Sequence, residues 1–147
     1  MYALLFSVLS FAAEYETWGF WRKDPKVIYC KDSGVKLEHV KDAIDYWHKK
    51  GYKTSELIVK DTCNTDYKYS YIKIVKPVTV NSKINYAHTD MQISSNRIDY
   101  AVVEVTSEGS LYYETILHEM GHALGIKHVD DSHDIMYHYH LDNWTNL

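Results

Sequence analysis

The sequence predicts an α/β (α+β) chain in which two long helices lie on one twisted, mixed sheet of five strands. Three observations carry this expectation. Five short runs rich in β-branched and aromatic residues are separated by turn-forming clusters, two longer segments repeat apolar residues at spacings of three and four, and the order is strand, helix, several strands, helix. A strand–helix–strand start requires a crossover connection, so some strands must pair in parallel and the helices must lie on the sheet. At 147 residues and 46% hydrophobic, the chain can build one real core but not two ordinary domains.

The elements follow in order. Residues 1–13 (MYALLFSVLSFAA) are apolar and uncharged and end in small residues, which reads as a short secretory signal ahead of a single domain at 14–147. A buried first strand is the competing reading. The run is too short to cross a hydrocarbon core of about 30 Å, so no stable membrane span is expected and the location is secreted or extracytoplasmic. Lys26–Cys30 (KVIYC) predicts a strand that the Asp32-Ser33-Gly34 cluster breaks. From Val35 to Lys50, Val40, Ala43, Ile44 and Trp47 mark one face of an amphipathic helix with Gly51 as its stop. Leu57–Val59, Ser70–Val75, Tyr86–Ile93 and Ile98–Val105 supply four more strands. Leu111 to Gly125 runs without proline as the second helix, and Ile126 to Leu147 reads as an irregular tail, a very short C-terminal subdomain.

A formal charge of −4 with no Lys/Arg block leaves no electrostatic footprint for nucleic acid, and the chain is expected to be a monomer. Cys30 and Cys63 fit one disulfide in an exported chain or two buried thiols in a reducing compartment.

The most informative stretch is His118–His128, HEMGHALGIKH. Residues four apart on a helix share a face, so His118 and His122 point into the same space. Glu119 is offset from His118 by about 100 degrees, close enough to hold a metal-associated water without being a ligand. Gly125 can adopt the left-handed conformation that stops the helix and turns the chain, bringing His128 back as a third ligand. Three imidazoles with the fourth position open describe a catalytic zinc rather than a closed structural one. The composition predicts the five-residue pattern by chance at roughly one in ten thousand. Three histidines satisfied by core hydrogen bonds are the rival reading, and three converging imidazoles without a cation would carry a large desolvation cost.

At these residues the sequence resembles the metzincin clan of zinc endopeptidases, whose long HExxHxxGxxH consensus is met in full. The clan's second signature, a methionine in a turn beneath the metal, is matched by Met136 in DIMY, eight residues past His128. The wording is most similar to matrixins, and the likeness extends loosely forward to Trp21, KVIY and the helix with Ala43-Ile44 and Trp47. The resemblance implies a zincin-like fold, one catalytic Zn²⁺ on His118, His122 and His128, Glu119 as general base, and a peptide or protein substrate. It also implies that the strand carrying Ala87-His88 lines the cleft and pairs with the substrate; an exposed loop position is the other reading of His88. Some features depart from the pattern. Val129 follows the third histidine, His138-Tyr139-His140 follows Met-Tyr where matrixins continue with proline, and no cysteine-switch motif surrounds Cys30 or Cys63. The stretch between the third and fourth strands is too short and too poor in Asp and Gly for the family's structural zinc and calcium sites. The expected activity is therefore peptide hydrolysis through a zinc-activated water, and the alternative is an exported, zinc-binding but non-proteolytic peptide-binding module of the same fold.

Overall fold

Strands and helices form where the β-branched runs and the 3.6-residue periodicity place them. The computed structural model describes residues 15–64, 66, 68–77 and 86–138. The N-terminal run read as a signal and the tail beyond His138 lie outside these. The elements are β1 (Phe20–Trp21), β2 (Lys26–Cys30), α1 (Leu37–Lys49), β3 (Glu56–Lys60), β4 (Tyr71–Val75), β5 (Ala87–Ser94), β6 (Arg97–Val105) and α2 (Tyr113–Ala123), with a 3-10 turn at Gly109–Leu111 before α2. All five expected strands are present, and β1 makes the sheet six-stranded. Its two residues are too few to leave a periodic signal, and they pair in parallel with Arg97 and Ile98.

Across the sheet β6 is followed by β4, β2 and β3, all parallel, with α1 as the crossover between β2 and β3. Strand β5 runs antiparallel along the other edge of β6, from Ala87 opposite Val105 to Ser94 opposite Arg97. Its hairpin turns through Ser95 and Asn96 at φ 51° and 62°, the left-handed pair that matches strand twist in a two-residue loop.

Period-2 alternation sorts the sheet into two faces. Val27, Tyr29, Ile72, Ile74, Ala101, Val103 and Val105 point to the helices and build the main core with Val40, Ala43 and Trp47 of α1 and Ile116, Leu117 and Met120 of α2. Ile28, Cys30, Val75 and Val102 form a thinner cluster on the opposite face. Loop residues cover that second face. Cys63 is bonded to Cys30 with Cα atoms 5.8 Å apart, and Lys73 is buried there with its ammonium donating to Asn64 O, Asn64 Oδ1 and Asp66 O. Burial lowers the Lys73 pKa, and these carbonyl acceptors replace the lost water. Of the two readings of the cysteines, the disulfide is the one found, closing a 33-residue separation and contributing about 3 to 4 kcal/mol on the chain-entropy model.

Trp47 joins the two helices. It is fully buried, its indole N–H donates to Leu117 O at 2.9 Å, and Tyr15, Tyr46 and Tyr52 meet it edge-on. It reaches α2 because Gly121 has no side chain: a Cβ there would lie 2.6 Å from Trp47 Cζ2 and 2.4 Å from Met136 Sδ. Alanine normally favours a helix interior over glycine by about 1 kcal/mol, but the rigid indole cannot give way. Gly121→Ala is therefore expected to lower stability by about 1–2 kcal/mol, read as a lower urea midpoint. A raised midpoint would mean that Trp47 and Met136 do not press on α2.

Candidate metal centre

His118 and His122 lie one turn apart on the buried face of α2, each held by a backbone carbonyl. His118 Nδ1 donates to Ile135 O at 2.7 Å and His122 Nδ1 to Ile126 O at 2.8 Å. A carbonyl only accepts, so the ring proton sits on Nδ1 in both residues and each Nε2 presents a lone pair. The orientation is that of imidazoles prepared to bind a cation.

The third imidazole arrives by a chain reversal that only glycine allows. Gly125 has φ 97°, its N–H donates to His122 O, and a Cβ would sit 2.5 Å from Gly19 O. Three residues on, His128 Nε2 lies 3.2 Å from His118 Nε2 and 3.0 Å from His122 Nε2. Among the described residues these three form the group able to hold a metal, with ligand atoms all within 4.8 Å of one another. A tetrahedral ion with Zn–N bonds of about 2.0–2.1 Å separates its nitrogens by about 3.3 Å, close to the spacing seen. The donor set fits as well: two lone pairs face one His128 nitrogen, which can offer a proton to one of them fully, whereas a cation satisfies all three. His118 and His122 are buried, while His128 is exposed, with the His138 ring centroid 6.1 Å from its own.

Below the histidines the chain from Val129 to Tyr137 folds back as a support. Met136 is fully buried against Gly121, and its N–H donates to Asp134 Oδ1 at 2.8 Å. Val129 N–H donates to Met136 O, Tyr137 N–H donates to Asp134 O, and Val129 and Tyr137 form a parallel bridge. Tyr15 O–H donates to the other carboxylate oxygen of Asp134 at 2.7 Å. The same turn supplies Ile135 O to His118, so the methionine turn also orients this imidazole.

Glu119, next to His118 on α2, is buried. The hydroxyl of Thr89, on β5, donates to Glu119 Oε2 and lies 3.2 Å from Glu119 O. Burial pushes the Glu119 carboxyl above its ordinary range, against the opposing pull of the Thr89 hydrogen bond and the His88 charge. A divalent cation on the histidines would pull it back toward the ionised form.

Strand β5 separates the Ala87-His88 pair. Ala87 is half-buried with Thr89 and Met91, whereas His88 is exposed on the other side, 3.7 Å from Asp90 Oδ1, and does not join the three histidines. Two contributors, Thr89 and Trp18, had no motif to announce them, and a third, Asp134, lies within DIMY without its role being evident there. Thr89 and Asp134 hold Glu119 and the methionine turn, and Trp18 tilts over His122 with ring centroids 5.3 Å apart, its backbone N–H donating to Gly125 O at 2.8 Å. Cys30 and Cys63 lie on the opposite face of the sheet and have no part in the site.

A family model described as matrixin matches residues 38–146. No curated protein matches. Among solved structures, metalloproteinase-II from Bacteroides fragilis is 20% identical with a TM-score of 0.41, the alignment covering 86% of this chain and 54% of that one. The zinc-protease hatching enzyme HCE-1 of the medaka Oryzias latipes is 18% identical with a TM-score of 0.37, covering 74% and 50%. The chain thus spans about half the length of these solved relatives.

Burial is the largest influence on His122, followed by the neighbouring His118, and its pKa is pushed down to about 3, with the Ile126 carbonyl pulling the other way. An unfolded histidine titrates near pH 6.5. Between about pH 6.5 and 3 the unfolded chain therefore binds a proton at this position that the folded chain does not, and stability falls as pH falls. Metal-stripped protein should lose stability on acidification through that window, with His122 contributing at most about 1.4 kcal/mol per pH unit. Urea unfolding across pH should be flatter for His122→Asn, and superimposable wild-type and variant profiles would contradict the assignment.

Proposed function

Because this chain belongs to the matrixin family, we propose that it is a zinc-dependent endopeptidase whose single catalytic ion is held by His118, His122 and His128. The observation that carries this reading is the convergence of three Nε2 lone pairs, two of them fixed by Nδ1–carbonyl hydrogen bonds, beside the buried carboxylate of Glu119. When bound, zinc supplies Lewis acidity that lowers the pKa of water and polarises a peptide carbonyl.

The protein's own residues do the rest. Glu119 takes the proton of the attacking water on its carboxylate and later delivers it to the leaving amine nitrogen, one group serving as base and then acid. Met136 and Asp134 keep the imidazoles seated from below. Among the described residues strand β5 is an edge strand, paired on one side with β6, and its other edge at Ala87-His88 suits an extended peptide that adds to the sheet through backbone hydrogen bonds. His88 is exposed and stands outside the three-histidine group, yet its charge still acts on His122 and Glu119, so it borders the cleft instead of binding the ion. The disulfide supports export, with residues 1–13 as the signal and 14–147 as the mature domain. No helix among the described residues is long and apolar enough to cross a membrane.

Zinc-loaded protein is expected to bind one ion, cleave a quenched peptide or casein, and lose cleavage to a chelator. Glu119→Ala should keep the ion and lose roughly 10²- to 10⁴-fold in kcat. Binding of one zinc without any cleavage would favour a peptide-binding module, and no zinc binding at all would refute both.

A further inference from the structure

We infer that Thr89 is the positioning residue of the general base: its hydroxyl holds Glu119 Oε2 and leaves the other carboxylate oxygen to face the attacking water. This deepens the peptidase reading and rests on it. The Thr89 hydroxyl lies against both Glu119 Oε2 and, at 3.2 Å, Glu119 O. It has one proton to give, and the carboxylate is the stronger acceptor. Among the described residues it is the sole donor to this carboxylate, which is only 3% exposed.

A buried carboxylate with no donor would have to turn in search of one, and a base displaced by about 1 Å loses much of its rate. The hydroxyl is well suited to prevent that turn. Thr89 is β-branched, which restricts its χ1, and it sits opposite Val103 in the β5–β6 ladder, so the sheet fixes its position. Along β5 the residues alternate, with Ala87, Thr89 and Met91 half-buried and His88, Asp90 and Gln92 exposed. One strand therefore presents the base-holding hydroxyl to α2 and offers a peptide the backbone edge that is unpaired among the described residues. The distance from base to scissile bond is then set within a single element.

The test compares wild type with Thr89→Val, which keeps the β-branched shape and removes the donor, and with Thr89→Ser, which keeps the donor. Each protein is loaded with zinc, its metal content measured, and its kcat and KM determined on a quenched peptide. Zinc-loaded crystals of wild type and Thr89→Val provide a readout independent of activity. The expected result is one zinc in every protein, kcat for Thr89→Val lowered about 10- to 100-fold with KM within about twofold, and Thr89→Ser within about threefold of wild type. In the crystals Glu119 Oε2 should accept from Thr89 Oγ1 in wild type and leave that position in the valine variant. Unchanged kcat, a loss that serine does not restore, or a wild-type Glu119 turned away from Thr89 would overturn the proposal. If wild type cleaves no peptide, the peptidase reading fails, while the crystals still decide whether Thr89 positions Glu119.

Discussion

The two hydrogen bonds from imidazole Nδ1 to backbone carbonyls are the constraint on which the site depends. Each fixes a tautomer, and each carbonyl belongs to chain that follows α2: Ile126 just past the Gly125 reversal, and Ile135 in the methionine turn. The orientation of the imidazoles is therefore inseparable from the path of the chain after the helix. If the reversal relaxed, His122 would lose its acceptor at the same time as His128 lost its approach. The same segment thus sets both the approach of the third imidazole and the tautomers of the first two, which is why a run without regular secondary structure must still be tightly fixed.

Fixing that run is the task of groups outside the three histidines. Gly121 lets Met136 and Trp47 press on α2 from below, and Trp47 also bonds Leu117 O, so α1 holds α2 at the turn that bears His118. Asp134 ties the methionine N–H to the Tyr15 hydroxyl, bringing the N-terminal segment into the support. Glu16 O and Trp18 N–H add backbone hydrogen bonds to Lys127 N–H and Gly125 O, and Thr17 bridges Ile126. Residues 15–18 accordingly act as a brace on the reversal, although nothing in their composition distinguishes them from a surface loop.

These contacts explain what could be read in advance. The five strands, both helices, the left-handed stop at Gly125 and the three converging histidines were legible because each rests on a local pattern: period 2, period 3.6, one conformational requirement, and i,i+4 spacing followed by a turn. Strand β1, Thr89, Trp18 and the role of Asp134 were not, because they depend on partners distant in sequence, from 30 residues for Thr89 and Glu119 to 119 for Asp134 and Tyr15, or on a register that no local pattern encodes. The Ala87-His88 pair lies between these cases. Its strand could be read, but alternation sends the two side chains to opposite faces, and only pairing with β6 reveals that the face toward α2 carries Ala87 and Thr89.

Val129 marks where the sequence leaves the family pattern, and its surroundings give that departure a physical sense. Its backbone N–H bonds Met136 O and it pairs with Tyr137 across the turn, while its side chain packs at the edge of the main core. A polar residue there could add a side-chain hydrogen bond, but the backbone ladder between Val129 and the methionine turn already closes the loop that begins at His128. What this position must supply is an extended backbone and an apolar contact, both suited to a β-branched residue. The turn's polar partner is instead Asp134, five residues later, whose two carboxylate oxygens join the Met136 N–H to the Tyr15 hydroxyl. The support beneath the histidines thus draws its charge from within the methionine turn, and the position after the third histidine is left free to be apolar.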